Sequence, residues 1–278
     1  MNPVITKQTI ERFLIEDLGF GDPSTQMFAA QKIKGQFVAK QTGLLCGQAI
    51  PQQVYDCLGA ATYTPLLAEG SPVLPGTVIG TVVGDAGVLL AGERTILNLM
   101  QHMSGIATTT QTAVQTLADP EIKIADTRKT TPGLRIFDKY AVTVGGGYNH
   151  RLGLDHGIML KDNHIAAAGS LTAAVTKARQ YAGPMMQIEV EVETKAQVLE
   201  AVAAKADIIM LDNQKPETIK TWCRLIPPSI ITEASGGITL ANLATYRHCA
   251  ATFISLGFLT NAVQPLDLSF YLEGVIKA

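Results

Sequence analysis

Between positions 128 and 161 the chain gathers Arg128, Lys129, Arg135, Lys139, Arg151 and Lys161 against only Asp138 and Asp155, so six bases face two acids. The whole chain has 22 Lys and Arg against 24 Asp and Glu, a formal charge of −2, which makes this cluster a local feature. An anionic ligand is the chemistry that it serves. Arginine forks onto carboxylate or phosphate oxygens, and lysine supplies a compact charge. Ordinary ion pairing is the competing account. It suits Arg135 and Lys139 better than Arg128, Lys129, Arg151 and Lys161, which stand at the ends of apolar runs.

Acidic residues supply the complement. Glu189 and Glu191 lie two apart in an apolar run, so in a strand both face one side while Ile188, Val190 and Val192 face the other. Asp212 ends the next such run. Carboxylates in this setting suit a hydroxyl-rich sugar or a Mg²⁺-bound phosphate, and strand parity alone does not choose between the paired glutamates. Gly145-Gly146-Gly147 and Ser235-Gly236-Gly237 free the backbone for tight turns, the second ahead of a helical stretch where N–H groups can meet a phosphate. No GxxxxGK[ST] occurs and the GGG run lacks dinucleotide spacing, so ATP hydrolysis and nicotinamide-cofactor binding by those routes are not expected.

His150 and His164 stand in polar clusters, His102 and His248 read as packing or capping residues, and His156 is open. No tight His-carboxylate spacing marks a zinc or iron site. Arg94, in AGERTILNLM, lies far from these clusters in sequence, near the start of a helix, where the dipole does not favour a cation. It is expected to reach a ligand across a domain or subunit boundary, the plain alternative being a pair with Glu93.

The elements that must position these residues follow from patterning. With 278 residues, 47% hydrophobic and 17% charged, the chain can bury a sizeable core. No run of 18 apolar residues and no basic stripe suits a membrane span or a nucleic-acid binder. The N-terminus does not read as a signal peptide, and four cysteines without ligand spacing fit a reducing cytoplasm. A helix is expected over Ile10 to Leu18, a β-rich stretch from Ile33 to about Gly87 with a helix near Pro51 to Leu58, and a long helix over Leu89 to Leu117, jogged near Ser104-Gly105.

Seven short apolar runs then each end in a polar cluster: Ile122 to Ala125, Ala141 to Val144, Gly157 to Leu160, Met186 to Val192, Asp207 to Leu211, Ile230 to Thr232 and Thr252 to Ser255. Alanine-rich helical stretches separate several of them. A closed or nearly closed α/β barrel is expected, with one shared site at the strand ends; an open doubly wound sheet is the alternative. The segment Asp267 to Ile276 is expected to pack back on the first domain.

Several of these stretches, ERTILNLMQHMSGIAT (93 to 108), ADTRKTTPGLR (125 to 135), KYAVTVGGGYNHRLGL (139 to 154), KDNH (161 to 164), EVEVET (189 to 194), MLDN (210 to 213) and EASGGI (233 to 238), occur in an order and spacing that resembles quinolinate phosphoribosyltransferase. The likeness runs from EDLGFGD to LGFLTN. It implies an N-terminal mixed α/β domain of antiparallel strands and helices over 1–110, joined by 265–278, and an incomplete α/β barrel over 111–264. It further implies a cytoplasmic homodimer, or a higher oligomer, with Arg94 crossing the interface. The implied reaction joins quinolinate and phosphoribosyl pyrophosphate, with Mg²⁺, into nicotinate mononucleotide, pyrophosphate and CO₂ for NAD synthesis. Carried over by residue, the resemblance implies that Arg128, Lys129, His150, Arg151 and Lys161 line the anion pocket. Glu191 and Asp212 approach the ribose and, indirectly or through water, the metal; Ser235, Gly236 and Gly237 hold the 5′-phosphate; Thr127, Gly257 and Asn261 complete the substrate contacts. Lys129, Lys161, Glu191 and Asp212 are the implied catalytic set.

One departure stands out. The family usually reads LTHS where this chain has Leu259-Thr260-Asn261-Ala262, and asparagine cannot become cationic. A modified phosphate contact is expected there. The departure keeps three alternatives in view: a related phosphoribosyltransferase with another pyridine, the branch found in molybdenum-transport contexts, and a non-catalytic phosphosugar binder.

Overall fold

The computed structural model describes residues 1–28 and 31–275. The chain forms two compact units, one of residues 1–111, 131–146 and 262–278 and one of residues 112–130 and 147–261.

In the first unit, helices α1 (Pro3–Leu18) and α2 (Pro23–Gln26) precede strands β1 (Lys32–Ala39) and β2 (Gly43–Leu44), helix α3 (Ile50–Leu58) and strands β3 (Ala61–Pro65), β4 (Pro72–Val73) and β5 (Val78–Asp85). Helix α1 starts where the Asn2 side chain accepts the Val4 N–H at 3.0 Å and Pro3 presets φ, and it ends at Gly19 with φ +52°. The long helix α4 (Ala86–Leu117) leaves this unit. It is continuous, without the expected jog. Ser104 is held by bonds to the Cys46 backbone, and the backbone of Gln264 and Pro265 comes so close to Gly105 that a Cβ has no room. Small residues here serve close packing and leave the helix unbroken.

The second unit carries a six-stranded parallel sheet: β6 (Lys123–Ala125), β7 (Ile158–Leu160), β8 (Ile188–Val192), β9 (Ile208–Asp212), β10 (Ile231–Ser235) and β11 (Phe253–Ser255), in the order β6-β11-β10-β9-β8-β7. Between them in sequence run α5 (Arg135–Val144), α6 (Asp162–Ala168), α7 (Leu171–Tyr181), α8 (Lys195–Ala203), α9 (Pro216–Cys223) and α10 (Leu240–Leu243). Strands β6 and β7 each have one hydrogen-bonded neighbour in this sheet among the described residues, so the ring is incomplete. Helices α7 and α8 start on side-chain caps, the Ser170 hydroxyl accepting the Ala173 N–H at 3.1 Å and Thr194 the Gln197 N–H at 3.2 Å. After β11 come α11 (Phe258–Asn261) and β12 (Leu268–Val275); the latter returns to pair antiparallel with β1 in a sheet ordered β12-β1-β5-β3. The expected last segment is thus a strand of the first unit, and Ile276 lies outside the described residues.

Six of the seven expected strands form. The seventh, Ala141 to Val144, is the last turn of α5, and the GGG run therefore follows a helix. Val and Thr favour strands, but Phe137, Ala141 and Val142 make a helical buried stripe that overrides the local preference. Gly145 is required by a close approach: a Cβ there would lie 2.5 Å from the Ala107 carbonyl oxygen and 2.6 Å from Thr110 Cβ. Segment 131–146, expected within the barrel, groups with the first unit. Its ties there include His102 Nε2 to Asp138 Oδ1 at 2.6 Å and a tilted contact of the Phe13 and Phe137 rings, with centroids 6.2 Å apart. Arg135 and Lys139 go with it and are not among the residues that line the cavity described below.

Candidate active site

Parity along the parallel strands builds the site. On β8, Ile188, Val190 and Val192 are fully buried on one face, leaving Glu189 and Glu191 on the other. Register places Glu191 beside Met210 of β9, Met210 beside Glu233 of β10, and Asp212 beside Ser235. A cavity of about 540 Å³ opens among these residues at the carboxyl ends of the strands. It is lined by Thr127, Arg128, Lys129, His150, Arg151, Lys161, Glu191, Asp212, Ser235, Gly236 and Gly237, together with Met159, Met210, Asn213, Glu233 and Ser255.

The expected cluster therefore converges. Gly257 and Asn261 flank it: a Cβ on Gly257 would come within 3.1 Å of Lys129 Cδ and 3.6 Å of Asn261 Nδ2. His164 is a cap for its neighbour, its Nδ1 accepting the Lys161 N–H at 3.2 Å. Arg94 belongs to the first unit, where it lies 4.0 Å from Glu93 and lines a cleft with Asp17, Asp22 and Leu90. Met159, Met210, Asn213, Glu233 and Ser255 were not anticipated. Alternation over Ile231, Glu233 and Ser235 carried the same signal that singled out Glu189 and Glu191.

The cavity holds polar groups without partners. Arg128 Nε, Arg151 Nε, Glu233 Oε1 and Ser255 Oγ are buried with no hydrogen-bond partner. Since buried polar atoms are almost always satisfied, four such atoms on residues of one cavity mark a ligand's place. Arg151 is otherwise fixed, Nη1 donating to the Gly157 carbonyl at 3.0 Å and Nη2 lying 3.2 Å from Met159 Sδ. Burial lowers its pKa, with Glu189 opposing and Arg128 adding to the shift. Two guanidinium groups that repel one another await a counter-anion.

At the rim, the Lys161 ammonium pairs with Glu191 Oε2. Asn213 Nδ2 donates to Asp212 Oδ2 at 2.6 Å, and the Asn213 N–H to the Ser235 carbonyl at 2.8 Å. Burial raises the Asp212 pKa and the Glu191 charge raises it further, while Lys161 and Lys129 pull it back. Gly236 and Gly237 have φ of +84° and +65°, so the turn after β10 takes a left-handed backbone that glycine adopts without strain. Glu191 and Asp212 offer hard oxygen donors without a third acid in ligating reach among the described residues, a set that fits Mg²⁺ retaining water and ligand oxygens.

Beneath the rim, His150 Nε2 lies 3.1 Å from Glu189 Oε2 and 3.4 Å from Glu233 Oε2. Burial disfavours a charged ring, but the hydrogen bonds and charges of the two glutamates outweigh it and push the His150 pKa up to about 10. Nδ1 lies 2.8 Å from the Arg151 backbone nitrogen and can accept its N–H only in the neutral ring. These three side chains have ligand atoms within 4.8 Å of one another, as a metal centre would. The three side chains form a hydrogen-bonded triad.

Comparison with known proteins agrees along the whole chain. Residues 22–104 match the family model for the quinolinate phosphoribosyl transferase N-terminal domain, and residues 106–271 match that for its C-terminal domain. A Bacillus subtilis protein described as a probable nicotinate-nucleotide pyrophosphorylase (carboxylating) is 50% identical over 271 residues, 97% of this chain and 94% of that protein. The human nicotinate-nucleotide pyrophosphorylase (carboxylating) is 37% identical over 275 residues, 97% of this chain and 92% of that protein. The crystal structure of NadC from Streptococcus pyogenes superposes with a TM-score of 0.95 at 40% identity, covering 100% of this chain and 99% of that one.

Proposed function

The chain belongs to the quinolinate phosphoribosyltransferase family, and from that premise we propose how its cavity performs the transfer of a phosphoribosyl group to quinolinate with decarboxylation. The products are nicotinate mononucleotide, pyrophosphate and CO₂, a step of NAD biosynthesis. The observation that carries the assignment of roles is that Arg128 and Arg151, each with a buried and unpartnered Nε, line one cavity with Lys129 and Lys161. A pyridine dicarboxylate needs this many cations.

Arg128 and Arg151 bind the carboxylates and hold the ring so that its nitrogen faces C1′ of the ribose. The Ser235-Gly236-Gly237 turn takes the 5′-phosphate on backbone N–H groups. Glu191 and Asp212 stand by the ribose hydroxyls. The bond from the pyridine nitrogen to C1′ forms as the bond from C1′ to the pyrophosphate oxygen breaks, and the carboxylates stabilise the oxocarbenium character between them. Lys129 and Lys161 offset the charge gathering on pyrophosphate. Mg²⁺, which Glu191 and Asp212 would hold through water, supplies Lewis-acid stabilisation of that leaving group. The alkylated ring then accepts the electron pair as the bond from C2 to its carboxylate breaks; CO₂ leaves and C2 takes a proton. No enzyme nucleophile is required.

We place Arg94 at a partner's site in a homodimer, since its guanidinium is exposed and its first-unit cleft holds Asp17 and Asp22, and we place the enzyme in the cytoplasm. Among the described residues no helix is long and apolar enough to cross a membrane. Competition between substrates tests the assignment: the purified protein should turn over quinolinate and ignore nicotinate, which brings one carboxylate to a two-arginine pocket. Equal use of nicotinate would refute it.

A further inference from the structure

The ring of His150 is committed to the protein on both nitrogens. Nδ1 lies 2.8 Å from the Arg151 backbone nitrogen, and Nε2 faces Glu189 Oε2 at 3.1 Å and Glu233 Oε2 at 3.4 Å. Its backbone N–H donates to Asp126 Oδ1 at 2.8 Å, and Asp126 is fully buried. The contacts therefore run from two acids, through the imidazole, into the backbone of Arg151.

Glu189 and Glu233 are each 3% exposed. Burying two carboxylates in one strand layer is costly unless they hold something, and Met210, between them in register, is what an ordinary core residue looks like there. Glu233 lines the cavity with its Oε1 unpartnered, Glu189 lies outside the lining, and both meet at the His150 ring. The acid charge of Glu189 acts on Arg151 directly as well as through the ring. With its backbone fixed by His150 and two guanidinium nitrogens fixed by Gly157 and Met159, Arg151 has its Nε edge left for a ligand.

We propose that Glu189 and Glu233 are positioning residues for the pyridine dicarboxylate: through His150 they set the place and orientation of Arg151 before the ligand arrives. The inference rests on the function proposed above. It makes His150 a link in the support of Arg151, with its ring nitrogens already taken. Removing the charge of either acid loosens the imidazole and, with it, the backbone of Arg151 beside the ring and its guanidinium, while the turn that takes the 5′-phosphate stays as it is.

The test uses the full chain with Glu189→Gln and Glu233→Gln. Quinolinate and phosphoribosyl pyrophosphate binding are each measured by calorimetry, and the His150 ring is followed by ¹⁵N resonances. Quinolinate affinity should fall about tenfold or more in each variant, phosphoribosyl pyrophosphate affinity should change by less than about twofold, and the Nε2–H resonance should move. Glu189→Asp, which keeps the charge on a shorter arm, should recover part of the loss. Unchanged quinolinate affinity overturns the proposal, as does an equal loss for both ligands, the mark of a general structural role. If the wild-type chain neither binds nor turns over quinolinate, the function reading itself falls; an unmoved His150 resonance in the variants would then overturn the positioning as well.

Discussion

The Thr260 hydroxyl donates to the Lys129 carbonyl at 2.9 Å, tying the short helix after β11 to the loop after β6. Lys129 also donates its N–H to Thr127 Oγ1 at 3.0 Å, and Gly257 leaves room for its side chain. Lys129, which we place beside pyrophosphate, is thus held by the segments that follow two neighbouring strands.

Thr260 is fully buried, so Thr260→Val keeps the shape and removes the bond. A stability loss of about 1 kcal/mol is expected in denaturant unfolding, with a rise of a few-fold, roughly, in KM for phosphoribosyl pyrophosphate. A change in KM for quinolinate alone would assign the bond to the wrong substrate.

The two glycines of the phosphate turn should not respond alike. A Cβ on Gly236 would run into the side chain and backbone of Asn213 at φ +84°, whereas at Gly237 the nearest atom is 3.9 Å away at φ +65°. Gly237→Ala should cost about 1 kcal/mol from backbone strain alone, and Gly236→Ala more, with the larger loss of phosphoribosyl pyrophosphate affinity. Thermal unfolding and calorimetry on both variants settle the order.

Charge alone will not replace Arg151. Arg151→Lys keeps the cation but loses the planar group that reaches Gly157 and Met159 while offering Nε. KM for quinolinate should rise on the order of a hundredfold, with a smaller effect on kcat. Steady-state kinetics at saturating phosphoribosyl pyrophosphate is the measurement.

Asp119 supplies a pH signature outside the site. Its carboxylate accepts the His248 N–H at 2.8 Å and the Glu121 N–H at 3.1 Å, and these backbone bonds, the first above all, hold its pKa below the ordinary 3.8. The folded state therefore binds its proton later than the unfolded state on acidification. The stability it contributes is present above the unfolded pKa and disappears as pH falls through the lowered folded value. Asp119→Asn should be less stable than wild type at neutral pH, and the gap should close below about pH 4 in urea titrations, near the unfolded carboxylate pKa.

Much of this was legible in the residues. Alternation in IEVEV put Glu189 and Glu191 on one face, and polar clusters after Ile124, Leu160, Val192 and Leu211 located the strand ends. Alternation over Ile231, Glu233 and Ser235 held the same information. The run Ala141 to Val144 misled because β-branched residues favour strands, and only the packing of Phe137 and Gly145 decides for helix. The long α4 looked broken at Ser104-Gly105 for a similar reason, as composition does not reveal the segment at Gln264 and Pro265 lying against it. The meeting of the His150 ring with Glu189 and Glu233, and the return of 131–146 to the first unit, are tertiary facts with no local signature.

The central claim is that one cavity joins a dianionic pyridine to a phosphoribosyl donor and then decarboxylates it. Quinolinate labelled with ¹⁴C in the C2 carboxylate, mixed with the purified protein, phosphoribosyl pyrophosphate and Mg²⁺, gives the direct measurement. Labelled CO₂, pyrophosphate and nicotinate mononucleotide should appear in equal amounts. Pyrophosphate released with the label retained in a nucleotide, or no release of either, would contradict the account.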